Sequence, residues 1–204
     1  TKWWSLLRSR PFVLLLVTST LIQGSHATYY NLSTVHWNTH GIGPERAAVL
    51  WAEGVLAEIV LFFVARASIE KLRPTTILML GGGAAVVRWI VLAWSTSFPV
   101  LLAANWLHGL SFGATYLGAL RALDRRVPGH QRATAQGLLG VASSGLGMVL
   151  GALLGGFVYE RWEGRAFLTM AALAFVGAVL AGILRQKAQS HQTPLTSSTS
   201  ANPA

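Results

Sequence analysis

The chain has 204 residues, 52% of them hydrophobic and only 11% charged, whereas a soluble domain of this length carries about 25% charged residues to stay solvated. Its formal charge is +9 and it contains no cysteine, which excludes disulfides and thiolate metal sites and leaves the redox compartment open. The basic residues stand in short clusters between apolar runs, as they do at the flanks of membrane spans, so no nucleic-acid partner is expected and the fold class is all-α integral membrane.

Residues 1–10 read as a cytoplasmic lead-in. Thr1 is not an initiator, and the apolar run from Pro11 to Tyr30 is too long for a signal-peptide core and lacks a small-residue cleavage site. The start is therefore expected to be an internal loop of something longer, or a trimmed end. A span needs about 20 mostly apolar residues. Segments at about 11–35, 46–66, 74–95, 99–121, 133–158 and 165–185 qualify, which predicts a six-transmembrane-helix bundle over 11–186. Pro11, Pro74 and Pro99 stand at or near helix starts, where a missing N–H costs little. Short connections make sequential neighbours antiparallel. Residues 187–204 turn to Ser, Thr, Gln and Pro and read as a disordered polar tail.

Orientation follows from Lys and Arg. One side collects Lys2, Arg8, Arg10, Arg66, Lys71, Arg73, Arg121, Arg125, Arg126, Arg132, Arg185 and Lys187; the other has only Arg46, Arg161 and Arg165. The positive-inside rule then puts both termini in the cytoplasm.

In the fifth segment Gly147, Gly151 and Gly155 recur every fourth residue, with Gly140 seven before them. Small residues at this spacing let helix backbones approach closely. The spacing fits a helix that rocks against a partner domain and fits static packing equally well.

Charged residues inside spans are costly and usually face a cavity or a partner. Glu53 and Glu58 lie in the second segment, Arg88 in the third, Asn105 and His108 in the fourth, and Gln23, His26 and Tyr30 follow an i, i+3, i+7 pattern in the first. At 1.5 Å rise per residue, Glu58, His108 and Gln23 fall near mid-depth with His26 and Arg88 slightly outward, so they can meet in one layer. Glu and Arg at similar depth suggest a charge pair. His108 can change protonation near neutral pH, or simply hydrogen-bond a neighbouring helix. Arg88 keeps its proton and is expected to bind a substrate or a carboxylate partner. Glu53, nearer the outer interface, reads as solvated or snorkelling, and Trp89 and Trp94 as packing or interfacial anchors.

Two patterns carry less. His36 and His40 have the i, i+4 spacing of zinc ligands, but Gly41, Gly43 and Pro44 follow at once and no acidic third ligand is evident, so an outer loop is the better reading and no metal or cofactor is expected. Ser143 and Ser144 with His108 suggest an intramembrane serine protease only weakly: the residue order is wrong and the serines sit among the packing glycines. No enzymatic activity is expected.

The stretches LIQGSHATYYNLSTVHW, LWAEGVLAEIVLFF, VVRWIVLAW and LHGLSFGATYLGALR resemble the C-terminal half of the major facilitator superfamily, nearest the branch of 3-phenylpropionate-type permeases related to lactose permease and nucleoside symporters. RASIEKLRPTT resembles a degenerate form of its basic loop, and QRATAQGLLGVASSGLGMVLGALLGGFVYERWEG its eleventh helix. The resemblance covers residues 1 to about 186. It implies helices seven to twelve of a twelve-helix fold, completed by an N-terminal six-helix half absent from this chain. It also implies that Gln23, His26, Tyr30, Asn105 and His108 face a central cavity, and it favours a rocking role for the glycine helix. In lactose-permease-like symporters an Arg on the third helix and a His on the fourth take part in proton coupling, and Arg88 and His108 match that pair. The family's acidic residue one turn beyond the His is Ser111 here, so Glu58 or a carboxylate of the other half would have to take the proton.

The resulting expectation is half of a proton-linked uptake carrier in a bacterial inner membrane, working by alternating access on a small organic solute, with an aromatic carboxylate favoured. A nucleoside or sugar symporter is the nearer rival; a truncated, non-transporting fragment or scaffold is the alternative from another class.

Overall fold

The computed structural model describes residues 3–190, and its regular structure is entirely helical. A short helix, α1 (Trp4–Leu7), leads into α2 (Arg10–Gly24) and α3 (Ala27–Thr39). Helix α4 (Pro44–Val60) runs through a π-helical stretch, Leu61–Ala65, into α5 (Arg66–Lys71). Next come α6 (Pro74–Trp94), then α7 (Phe98–Asn105), a π stretch Gly109–Ala114 and α8 (Thr115–Asp124). Helix α9 (Arg132–Gly140), a π stretch Val141–Gly147 and α10 (Met148–Trp162) form the following rod, and α11 (Ala166–Ser190) closes the described chain.

Pro11, Pro44, Pro74 and Pro99 stand in the first two positions of α2, α4, α6 and α7, where the fixed φ suits the helix and no N–H is missed. Helix α11 continues to Ser190, five residues beyond the expected end at 185. The rest of the expected tail, 191–204, lies outside the described residues.

The break between α2 and α3 has a local cause. In an unbroken helix the His26 N–H would bond the Ile22 carbonyl. That carbonyl is taken instead by the Ser25 hydroxyl at 2.6 Å and by His26 Nδ1 at 3.1 Å, and the His26 N–H bonds Gln23 O at 3.0 Å. Side chains competing for a backbone acceptor tighten the turn and kink the rod. His26 owes its position to this kink.

Three helical stretches are long and apolar enough to cross a membrane: Pro44–Val64, Pro74–Trp94 and Gly129–Gln186. The third, at 58 residues, would be about 87 Å if straight, nearly three times the hydrocarbon thickness. It reverses at Glu163, whose φ of 45° is the one positive value at a non-glycine residue among the described residues, and α10 and α11 pack side by side. The stretches 10–39 and 98–124 are each interrupted by a turn, at Ser25–His26 and at Trp106.

Two large apolar cores form, one toward each end, beside a small one of Ile69, Ile77 and Ala114. One, toward the loops at 40–43, 95–97 and 163–165, joins Tyr29, Trp37, Leu50, Trp89, Leu101 and Phe167. The other, toward the loops at 8–9 and 124–131, joins Phe12, Leu15, Leu78, Leu123, Leu139 and Leu184. Between them lies a layer of buried polar side chains: Thr18, Gln23, Ser25, His26, Arg88, Asn105, His108, Ser111 and Thr115. The outward face of α6 is apolar throughout, with Leu80, Gly83, Val87, Ile90 and Trp94 exposed at alternating steps of three and four, the period of one helix face.

Candidate functional site

The polar layer is organised around His108. Its Nδ1 lies 2.8 Å from Arg88 Nη1. Arginine has donors only, so Nδ1 must accept with its lone pair. The ring proton is therefore on Nε2, which donates to Glu58 Oε1 at 2.9 Å, with the Tyr30 hydroxyl 3.4 Å from the same nitrogen. The imidazole is thus neutral and fixed in one tautomer, standing between a cation and an anion from two other helices. The charge pair expected between Glu58 and Arg88 is consequently not direct: His108 is interposed.

Arg88 is fully buried. Its second Nη donates to Asn105 Oδ1 at 3.0 Å, and its guanidinium carbon lies 4.1 Å from the centre of the Tyr29 ring, a cation–π contact strengthened by desolvation. Asn105 in turn donates from Nδ2 to Leu50 O at 3.0 Å, tying α7 to α4. Close approach here depends on Gly54, where a Cβ would come within 3.3 Å of the His108 ring.

Glu53 corrects the reading of a solvated residue. It is only 8% exposed and lies on the buried face of α4 between Leu50 and Gly54. Among the described residues its Oε2 meets no hydrogen-bond partner, and neither do Arg88 Nε and Tyr29 Oη. Glu58 is the more accessible acid, its side chain 26% exposed.

His26 lies beside this chain. Its Nδ1 donates to Ile22 O, so its Nε2 accepts from the Ser111 hydroxyl at 3.2 Å. Ser111 thus serves the first rod through His26. Gln23 donates from Nε2 to Phe112 O at 3.3 Å, a carbonyl within the π stretch that begins after His108. Trp89 donates to the Ser25 hydroxyl at 3.0 Å and meets the His26 ring edge-on, with centroids 4.9 Å apart, which makes it a packing residue of the layer and not an interfacial anchor.

Gln23, His26, Tyr30, Glu58, Arg88, Asn105 and His108 are therefore brought together, all but Tyr30 and Glu58 buried. Sequence reasoning missed Tyr29, under the Arg88 guanidinium, and Phe112, stacked at 13° on the His108 ring with centroids 5.4 Å apart. A neighbouring tyrosine at 29 was the only signal for the first, and nothing marked the second among the apolar residues around it.

The glycine stripe packs within this bundle. Gly147 lies against Thr20, Gly151 against Gly24 and Ala27, and Gly155 against Thr28. The absent Cβ at each lets this rod seat on α2 and α3. Gly140 alone of the four has nothing within 4 Å of a built Cβ.

His36 and His40 have rings 4.3 Å apart. His36 Nδ1 meets the Tyr159 hydroxyl at 3.1 Å and His40 Nδ1 the His36 carbonyl at 2.7 Å. The pair joins α3 to α10 beside a cavity of about 260 Å³.

Comparison with known proteins gives the family. The family model described as "MFS_1 like family" matches residues 1–171. The chain is 27% identical over 174 residues to the Escherichia coli (strain K12) protein named "Probable 3-phenylpropionic acid transporter", covering 85% of this chain and 45% of that one. It is 29% identical over 189 residues to the maltose permease of Geobacillus stearothermophilus, covering 89% and 46%. The chain thus spans about half the length of these relatives.

Proposed function

The chain belongs to the MFS_1 like family, and from that membership we propose that it forms one half of a proton-coupled secondary transporter. In this reading six helices cross a bacterial inner membrane, at 10–39, 44–64, 74–94, 98–124, 132–162 and 166–190, with both termini in the cytoplasm. A second six-helix half completes the carrier, and substrate passes by alternating access at the midplane. The apolar side chains exposed on α10, among them Val149, Leu150, Leu153 and Phe157, are free to meet that half or lipid.

The observation that carries the reading is the Arg88–His108–Glu58 chain. With Glu58 ionised, the buried guanidinium is balanced through a neutral imidazole. With Glu53 protonated, a proton on Glu58 leaves one net positive charge in the layer, which is costly in a membrane interior unless an anion arrives. Proton and carboxylate would therefore bind together, which is the logic of symport. An aromatic carboxylate is the favoured substrate, supported by the similarity to the 3-phenylpropionic acid transporter and by the rings of Tyr29, Tyr30 and Phe112 around His108, with Trp51 stacked on Tyr30.

A sugar carrier is the second reading, favoured by the similarity to maltose permease; a nucleoside carrier stands beside it. Counterflow in proteoliposomes of the complete carrier with 3-phenylpropionate, a nucleoside and a disaccharide distinguishes them. Movement of the aromatic acid alone is expected, and its failure to move would sink the favoured class. Glu58→Gln is expected to abolish proton-driven accumulation while leaving exchange intact. Uptake driven by a proton gradient at the full rate in that variant would remove Glu58 from the coupling role.

A further inference from the structure

The exposed residues of α3 differ in kind from those of α6. Tyr30, Asn31, Thr34 and Asn38 are all exposed and fall on one face, with Val35 beside them, whereas the exposed stripe of α6 is apolar from Leu80 to Trp94. A polar stripe at membrane depth faces water or a partner, not lipid. Trp51 of α4 belongs to that face: its Nε1 donates to Thr34 Oγ1 at 2.9 Å, and its ring lies nearly parallel to that of Tyr30, at 19° with centroids 5.8 Å apart. Behind it the buried Tyr29 ring sits 4.7 Å away. The indole is thus held by a hydrogen bond on one side and aromatic packing on another while staying partly exposed. Tyr30 leads from it to the Glu58–His108 pair through its hydroxyl.

We propose that Trp51 and Tyr30 form the platform on which the substrate's aromatic ring stacks, with its carboxylate directed toward the Glu58–His108 end. This inference rests on the carrier reading above and adds the residues that set ring specificity. Trp51 suits the task because its orientation is fixed before substrate arrives, so little freedom is lost on stacking. An aromatic pair also gains from ring geometry beyond simple apolar contact, which makes the site distinguish a flat ring from a saturated one of similar size.

The test compares uptake of 3-phenylpropionate and 3-cyclohexylpropionate by the complete carrier in proteoliposomes. Trp51→Leu keeps an apolar side chain but removes the ring, and is expected to raise KM for the aromatic acid about threefold to tenfold. Its maximal rate should stay within about twofold, and KM for the saturated acid should change by less than about twofold. Trp51→Phe should recover most of the loss. Thr34→Val, which frees the indole without removing it, should raise KM for the aromatic acid alone and serves should Trp51→Leu fail to insert. Unchanged KM in both Trp51→Leu and Thr34→Val, or equal losses for the two acids, would overturn the platform while leaving the carrier reading intact. A wild-type carrier that moves neither acid would overturn that reading and the platform together.

Discussion

Both Nη atoms of Arg88 are engaged by neutral acceptors, His108 Nδ1 and Asn105 Oδ1, and both acceptors are buried with it. Arg88→Met would leave each without a donor, at a cost of about 1–3 kcal/mol apiece. Its thermal midpoint in detergent should fall well below that of the wild type. Arg88→Lys should recover only part, since an ammonium lacks the planar fork that spans two acceptors. A methionine variant as stable as the wild type would show that the guanidinium is not structurally committed. The residue types of this cluster were legible in the sequence because a charge inside an apolar run stands out in one dimension. Its wiring was not: the Glu58–Arg88 pair inferred from similar depth is separated by an imidazole, and Glu53, read as solvated or snorkelling, is buried.

At the scale of elements, three glycines join α10 to α2 and α3. Gly151→Val would drive a branched side chain into Gly24 and Ala27, and overpacking of this kind costs roughly 1–3 kcal/mol. Gly140→Ala meets open space and should change stability by less than about 0.5 kcal/mol. Equal effects of the two in thermal unfolding would refute the inward seating. The glycine spacing was visible in the sequence, but spacing defines a face without saying what it meets.

For the whole molecule, the contrast between the α3 and α6 faces offers a direct test, since the chain has no native cysteine. Single replacements Asn31→Cys and Thr34→Cys should react with a membrane-impermeant thiol reagent, while Val87→Cys and Ile90→Cys should not. Equal labelling at all four would contradict a water-lined α3 face. The chain expressed without a second half should also aggregate in detergent, because α4 and α10 leave Val55, Leu56, Ile59, Leu150, Leu153 and Phe157 uncovered. A monodisperse, heat-resistant preparation would count against the need for a partner.

The sequence by itself determined that the chain is helical and suited to a membrane, where its helices begin, and which side chains cannot rest in lipid. Hydropathy, proline placement and isolated charges are local properties, readable within one turn or one span. Only the tertiary structure decided which of those side chains satisfy one another. Partners such as Arg88 and His108, or Gly151 and Gly24, lie on different rods, and their meeting depends on the relative rotation and depth of helices far apart in the chain. A tightened turn at His26 or a π stretch after His108 shifts both rotation and depth. The periodicity of a regular helix therefore predicts the layer but not its bonds.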